Sequence, residues 1–270
     1  MTHQDIINKK NKQKIVMLTA YDYPMALLAD EAGVDMVLVG DSLANVVLGL
    51  TSTKEVGMAA MLHHTKAVVR AVQRALIVAD MPFEACQRQV SVALALDNAK
   101  QFIDAGCHAV KLEWFEQCPK TVEAIVKAGI PVMGHVGLTP QTALEMKVQG
   151  KDALGAQRII ENAKAFQDSG CFSIVLECVP RQVAEIITKQ LDIPTIGIGA
   201  GVDCDGQVLV LHDLLGLSTR YQPKFSKKYL NLAPLIVEAV RQYKREVEQG
   251  LFPDDAHSFH MPLDEVKKLI

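Results

Sequence analysis

Eight short apolar runs, separated by stretches of helical periodicity, constrain this chain more than any other feature. The runs fall at residues 15–20, 36–40, 75–80, 108–113, 131–135, 172–177, 194–199 and 207–211. Helical patterns at 24–31, 58–73, 91–104, 121–127, 153–168 and 182–190 lie between them. In the 91–104 segment, Val92, Leu96, Ala99 and Ile103 recur at steps of three or four, which makes one apolar helix face. Four times a glycine stands between helix and strand, at Gly33, Gly106, Gly129 and Gly170, where a helix stop needs a left-handed residue. The strand runs are apolar throughout, as strands buried on both faces must be. Eight such units favour a (β/α)8 barrel over an open doubly wound sheet.

Six of the runs end in an ionisable residue: Asp41, Asp80, Lys111 with Glu113, His135, Glu177 and His212. In a parallel barrel the carboxyl ends of the strands form the face that carries catalysis. Polar groups at the same end of successive strands therefore describe one site. The 270 residues, 49% of them hydrophobic, suit one barrel domain over 1–270. Residues 234–249 form a further helical pattern, with Ile236, Val240, Tyr243 and Val247 on one face and Gly250 as its stop. Residues 251–270 are expected to be a tail or arm that contacts another subunit.

Composition narrows the partners. A net charge of -3 gives no reason to expect nucleic acid, because neutralising phosphates needs clustered excess Lys and Arg. The basic run at 9–14 is read as a solvated helix end. No run reaches the ~18 apolar residues of a membrane span. The six cysteines show neither CxxC pairs nor zinc spacing, which points to free thiols in a reducing cytoplasm. Cys107 and Cys171, each following a glycine before a strand, read as small buried hydrophobes.

Asp41, Asp80 and Glu113 end successive strands, which lie about 4.8 Å apart. Three acidic groups so close repel unless a cation sits among them. An all-oxygen set with room for water and substrate suits Mg2+ better than Zn2+. Lys111 shares a strand face with Glu113 and could neutralise a substrate carboxylate or a developing enolate, or simply pair with Glu113. His135, between Gly134 and Gly137, is a candidate donor to a substrate oxygen. Glu177, in apolar surroundings, is the candidate general base. The glycine-rich 197–201 loop fits a ligand-facing turn and tight packing equally. His63 and His64 are expected at a surface or interface, His257 and His260 in the tail without metal, and His212 in a structural role.

At these residues the chain resembles the 3-methyl-2-oxobutanoate hydroxymethyltransferase (ketopantoate hydroxymethyltransferase) family. The resemblance runs from about Ile15 to His260. Its strongest stretches are Val39-Gly40-Asp41-Ser42, Ala79-Asp80-Met81-Pro82-Phe83, Gly134-His135-Val136-Gly137-Leu138-Thr139-Pro140-Gln141, Lys147-Val148-Gln149-Gly150 and Leu176-Glu177-Cys178-Val179-Pro180. It implies a barrel of the phosphoenolpyruvate/pyruvate-enzyme type. The implied reaction moves a hydroxymethyl group from 5,10-methylenetetrahydrofolate to 3-methyl-2-oxobutanoate, giving 2-dehydropantoate for pantothenate and coenzyme A. Carried over by residue, Asp41, Asp80 and Glu113 hold Mg2+, and Asp41, Ser42, Asp80 and Lys111 surround the oxo acid. His135 contacts substrate and Glu177 accepts the proton. The family is often decameric, which implies a homo-oligomer.

Two departures stand out. Trp114-Phe115 replaces the Gly-Gly that usually follows the Lys-x-Glu, and must be housed near the metal. Leu144-Glu145-Met146 precedes Lys147-Val148-Gln149-Gly150 in a loop that reads as shortened. Two other functions stay open on the residues alone. One is a Mg2+-dependent carbon–carbon lyase or aldolase on a related oxo acid. The other is a silent barrel acting as a binding protein.

Overall fold

The computed structural model describes residues 1–87, 89–143, 145–218 and 223–270. Its eight parallel strands are β1 (Ile15–Thr19), β2 (Met36–Val39), β3 (Leu76–Asp80), β4 (Ala109–Glu113), β5 (Val132–Gly137), β6 (Ser173–Glu177), β7 (Thr195–Ile198) and β8 (Gly206–Leu209). Each pairs with the next, and β8 returns to β1 to close the barrel. Helices Tyr23–Glu31, Met58–Ala71, Val92–Asp104, Cys118–Lys127, Ala153–Asp168 and Arg181–Gln190 intervene along the chain. Side chains of Asp22, Ser91 and Asp152 accept the N–H of Met25, Leu94 and Gly155, so three of these helices start on polar caps. Gly33, Gly106, Gly129 and Gly170 all have φ between 82° and 96°, the left-handed conformation expected where helix passes into strand.

Side-chain parity along the strands separates two cores. One packs the barrel interior and contains Ile15, Met17, Met36, Leu38, Leu76, Val78, Ala109, Met133, Val175, Ile196 and Val208. The alternate positions, such as Val37, Ile77, Val110, Leu112, Val132 and Ile174, join the helices in an outer core. Strand side chains alternate faces with period two, so the interior set continues along each strand into Asp80, Lys111 and Glu113, His135, and Glu177. The interior is therefore apolar toward the strand starts and ionisable toward the strand ends.

The opposite end is closed by the N-terminal segment. Helix His3–Ile7 buries Ile6 completely in the barrel-interior cluster, and His3 meets Phe172 edge-on at 6.0 Å between ring centroids. Lys9 pairs with Asp35, and Lys10 lies 2.8 Å from Asp205 and 2.7 Å from the Thr188 carbonyl. Asp205 also accepts the Thr195 N–H at 2.9 Å, tying β7 to the same plug. The basic run is thus only in part a solvated helix end: residues 11–14 are exposed, but Lys9 and Lys10 are not free in solvent. Lys9 and Lys10 cover buried carboxylates at strand starts, while their stems shield apolar surface.

Differences from the sequence reading cluster after β7. The segment to β8 is a tight loop, and β8 stops at Leu209. His212 accordingly lies in a short Leu211–Leu214 helix rather than at a strand end. The Leu232–Glu248 helix has no buried residue, and Ile236, Val240, Tyr243 and Val247 are each 45–59% exposed. No described helix is long and apolar enough to cross a membrane.

The division of the barrel into a closing end and a reactive end is testable. Ile6→Ala removes three methyl-sized groups from a site with no exposure, so unfolding should become easier by about 2–4 kcal/mol. The same variant should keep its activity per folded molecule, measured well below its lowered melting point.

Candidate active site

The ionisable residues of β2 to β6 meet at one mouth. Gly40 leads into Asp41 just beyond β2, and Asp80 stands opposite Lys111 in the β3–β4 register. Glu113 stands opposite His135 in β4–β5, and Gly137 opposite Glu177 in β5–β6. All of Asp41, Asp80, Lys111, Glu113 and His135 are buried, while the Glu177 side chain remains 18% exposed. Lys111 Nζ lies 2.7 Å from Asp80 Oδ1 and 3.3 Å from His135 Nδ1. The Lys111–Glu113 pair considered from sequence is therefore displaced by a Lys111–Asp80 pair. His135 faces Glu113 Oε1 at 3.6 Å through Nδ1 and Glu177 Oε2 at 3.3 Å through Nε2.

Each of the three candidate metal-binding carboxylates has one oxygen held by a backbone or amide N–H. Asp41 N–H donates to Asp80 Oδ2 at 2.9 Å. Gln141 donates its side-chain Nε2 to Asp41 Oδ2 at 2.8 Å and its backbone N–H to Glu113 Oε2 at 2.9 Å. Tyr21 and Ser42 hydroxyls lie 2.8 Å apart beside this group.

Four carboxylates around one ammonium make an electrostatically costly site. Burial, with the negative charge of Asp80, pushes Asp41 up to about 7. Burial, with the charge of Asp41, raises Glu113 well above the ordinary carboxylate range. Burial alone would lower Lys111, but Asp80, Asp41 and Glu113 outweigh it and keep the ammonium charged. Burial and then the Lys111 charge push His135 down, so its imidazole is neutral and its approach to Glu177 is a dipolar contact. Burial also raises the Tyr21 phenol, which stays protonated and can donate to Ser42.

These residues fit a hard divalent cation by their chemistry. Asp41, Asp80 and Glu113 each keep one oxygen free of backbone and amide donors, and that of Asp80, Oδ1, is held only by the Lys111 ammonium. Such a set offers oxygen donors only, with coordination left for water and substrate. Among the described residues, no group of three His, Cys, Asp or Glu side chains converges tightly enough to hold a metal as it stands. The Lys111 ammonium, close to Asp80, is what now balances part of the charge.

Other residues singled out from sequence sort clearly. Trp114 does not crowd this site: it points to the outer core, edge-on to Phe166 at 5.2 Å. Gly134 opens that space, since a Cβ there would lie 2.7 Å from the Phe166 ring. Phe115 is buried in the outer core. His63 is exposed and His64 partly exposed, the latter with its Nδ1 2.6 Å from the Tyr21 carbonyl. His212 packs on the Tyr21 ring at 5.4 Å. His257 and His260 face Asp254 and Asp255. Gly199 and Gly201 pack under Phe225 and against Arg181, which accounts for them by close approach. All six cysteines are free, with Cys107 and Cys171 buried. Leu144, in the loop that reads as shortened, lies outside the described residues. Sequence reasoning missed Tyr21 and Gln141. Gln141 was legible only as the end of the long match that begins at Gly134.

Comparison with known proteins fits this geometry. The family profile described as "Ketopantoate hydroxymethyltransferase" matches residues 1–255. The chain belongs to that family. It is 54% identical to the 3-methyl-2-oxobutanoate hydroxymethyltransferase of Syntrophobacter fumaroxidans, covering all of this chain and 96% of the relative. It is 56% identical to the protein of the same name from Moorella thermoacetica, covering 93% of this chain and 94% of the relative. Family membership makes the chain a hydroxymethyltransferase, an enzyme. Solved structures with the same fold include a phosphonopyruvate hydrolase in complex with oxalate and Mg++, at TM-score 0.61 and 16% identity over all of this chain and 95% of that one. A 2,3-dimethylmalate lyase of the PEP mutase/isocitrate lyase superfamily matches at TM-score 0.59 and 16% identity, covering 100% and 98%. These two likenesses concern the barrel alone.

The raised Asp41 carboxyl makes a signed prediction. Its ordinary value is 3.8 and its folded value about 7, so the folded state holds a proton that the unfolded state has lost across that interval. Stability contributed by this group is present at low pH and lost as pH rises toward 7, by on the order of a few kcal/mol. In metal-free buffer, Asp41→Asn should flatten this part of the melting-temperature profile between pH 5 and 8. An unchanged profile would show that Asp41 does not carry the effect.

Proposed function

We propose that this chain transfers a hydroxymethyl group from 5,10-methylenetetrahydrofolate to 3-methyl-2-oxobutanoate, giving 2-dehydropantoate and tetrahydrofolate. The convergence of buried Asp41, Asp80, Glu113 and Lys111 with Glu177 at one barrel mouth carries the reading. The names of the 54–56% identical relatives supply the oxo acid. Mg2+ is the cation that the free oxygens of Asp41, Asp80 and Glu113 suit, and the phosphonopyruvate hydrolase structure is described with Mg++. When bound, the ion draws electron density from the oxo acid and makes its C3 proton more acidic.

The protein groups then divide the work. Lys111, kept charged by its carboxylate neighbours, offsets negative charge that develops on the substrate oxygens. Tyr21 and Ser42 share a hydrogen bond, and with the phenol as its donor the Ser42 proton is free for a substrate carboxylate. His135 is neutral, and accepting from Lys111 at Nδ1 places its proton on Nε2, facing Glu177 Oε2. That contact orients Glu177 and leaves its other oxygen to remove the C3 proton. The C3 carbon then bonds to the folate's methylene carbon. Both C–N bonds to that carbon break with their electron pairs passing to the folate nitrogens, and water supplies the hydroxyl group. The protons from C3 and from water end on those nitrogens as tetrahydrofolate leaves. A cleft of about 370 Å³, lined by Gly137, Thr139, Thr142, Glu145, Lys147 and Gln149, opens beside the β5–β6 strand ends and receives the folate.

The working protein is a homo-oligomer of a reducing cytoplasm. Six free cysteines support the compartment. The exposed apolar row of the Leu232–Glu248 helix and the exposed apolar side chains of the 251–270 segment, such as Phe259 and Leu263, support contact with further copies.

Two variants test the chemistry. Glu177→Gln should bind the oxo acid and Mg2+ nearly as well but lose exchange of the C3 proton with D2O by at least a hundredfold, read by proton NMR. Normal exchange would remove Glu177 as base. Asp80→Asn should raise the Mg2+ requirement sharply, and an unchanged metal titration would take Asp80 out of the ligand set. Product formed from the unmutated chain without tetrahydrofolate would instead favour a carbon–carbon lyase.

A further inference from the structure

Gln141 is nearly inaccessible to solvent and lies outside every strand and helix, yet it makes four polar contacts at the mouth. Its Nε2 donates to Asp41 Oδ2 at 2.8 Å and to the Met81 carbonyl at 3.1 Å. Its Oε1 accepts from Gln87 Nε2 at 3.1 Å. Its backbone N–H donates to Glu113 Oε2 at 2.9 Å. The amide orientation is fixed by chemistry: turned over, its oxygen would face a carboxylate and a carbonyl, and its nitrogen would face the Gln87 donor.

We propose that Gln141 is a positioning residue for the cation site, setting which oxygens of Asp41 and Glu113 remain for a metal. This rests on the reading of Asp41, Asp80 and Glu113 as Mg2+ ligands. One residue occupies Oδ2 of the first carboxylate and Oε2 of the second, from side chain and main chain respectively. Both hydrogen bonds favour the ionised acids that a cation requires, against the burial that opposes ionisation. Neither acid can rotate to offer both its oxygens without breaking a buried hydrogen bond. Gln87 completes the device by holding the Gln141 amide in its donating orientation. Outer-shell partners of this kind typically change metal affinity by about 10–100-fold when lost.

Gln141→Met keeps the length and unbranched shape of the side chain and removes its donor, while the backbone bond to Glu113 stays. The unmutated, metal-stripped protein is titrated with Mg2+ by calorimetry, followed by the variant, with circular dichroism to establish that both are folded. Mg2+ affinity should fall by about 10–100-fold in Gln141→Met, and the Mg2+ concentration for half-maximal rate should rise by a similar factor. A merely structural role would lower the melting temperature and leave Mg2+ affinity of the folded protein unchanged. Affinity within twofold of the unmutated chain overturns the proposal. If Gln141→Met fails to fold, Gln87→Met carries the test: Mg2+ binding weakened several-fold supports the proposal, and unaltered binding overturns it. Absence of Mg2+ binding by the unmutated chain is a different failure, since it sinks the metal reading and this proposal with it.

Discussion

The reactive face of this barrel depends on the forced closeness of like charges. Asp41, Asp80 and Glu113 are buried together, and Lys111 is the one buried ammonium among them. Both the Asp41 and the Glu113 carboxyl are pushed above the ordinary carboxylate range, because burial penalises their charged forms. A folded chain keeps such an arrangement only where other elements hold it. Here the Lys111–Asp80 pair, the Asp41 N–H on Asp80 and the two Gln141 bonds do so. A divalent cation resolves the same imbalance by neutralising the acids rather than protonating them.

The barrel supplies the rigidity that this chemistry demands. Interior parity turns Leu76 and Val78 into the base on which Asp80 stands, and Ala109 into the base for Lys111 and Glu113. The N-terminal plug closes the far end with Ile6, Lys9 and Lys10, so the polar mouth and the stabilising floor lie at opposite ends of one stack. Trp114 shows the same parity from outside: one residue past Glu113, it faces the helices and meets Phe166 edge-on, while the Phe166 ring itself takes up the room that Gly134 leaves.

Much of this was legible in the sequence because strands report their own geometry. A period of two fixes which residues share the interior, so Lys111 with Glu113, and the terminal Asp80, His135 and Glu177, could be placed before any coordinates. Helix ends were legible for an equally local reason, the left-handed conformation at Gly33, Gly106, Gly129 and Gly170. Contacts made by loops and termini were not. Lys9 and Lys10 look solvated until Asp35 and Asp205, distant in sequence, are brought beneath them. Gln141 has no periodic neighbour to reveal its direction, and its partners lie up to 100 residues away. The substrate and the folate came from family resemblance, since strand-end acids suit a hard cation but point to no particular oxo acid.

The buried acids Asp41, Asp80 and Glu113 are the proposed seat of a cation. Calorimetric titration of Mg2+ into the metal-free protein near pH 6.5, repeated in buffers of different ionisation enthalpy, measures this directly. Metal binding to protonated acids releases their protons, so the observed heat should vary with the buffer and report net proton release. Saturable Mg2+ binding whose heat is the same in every buffer would contradict the account.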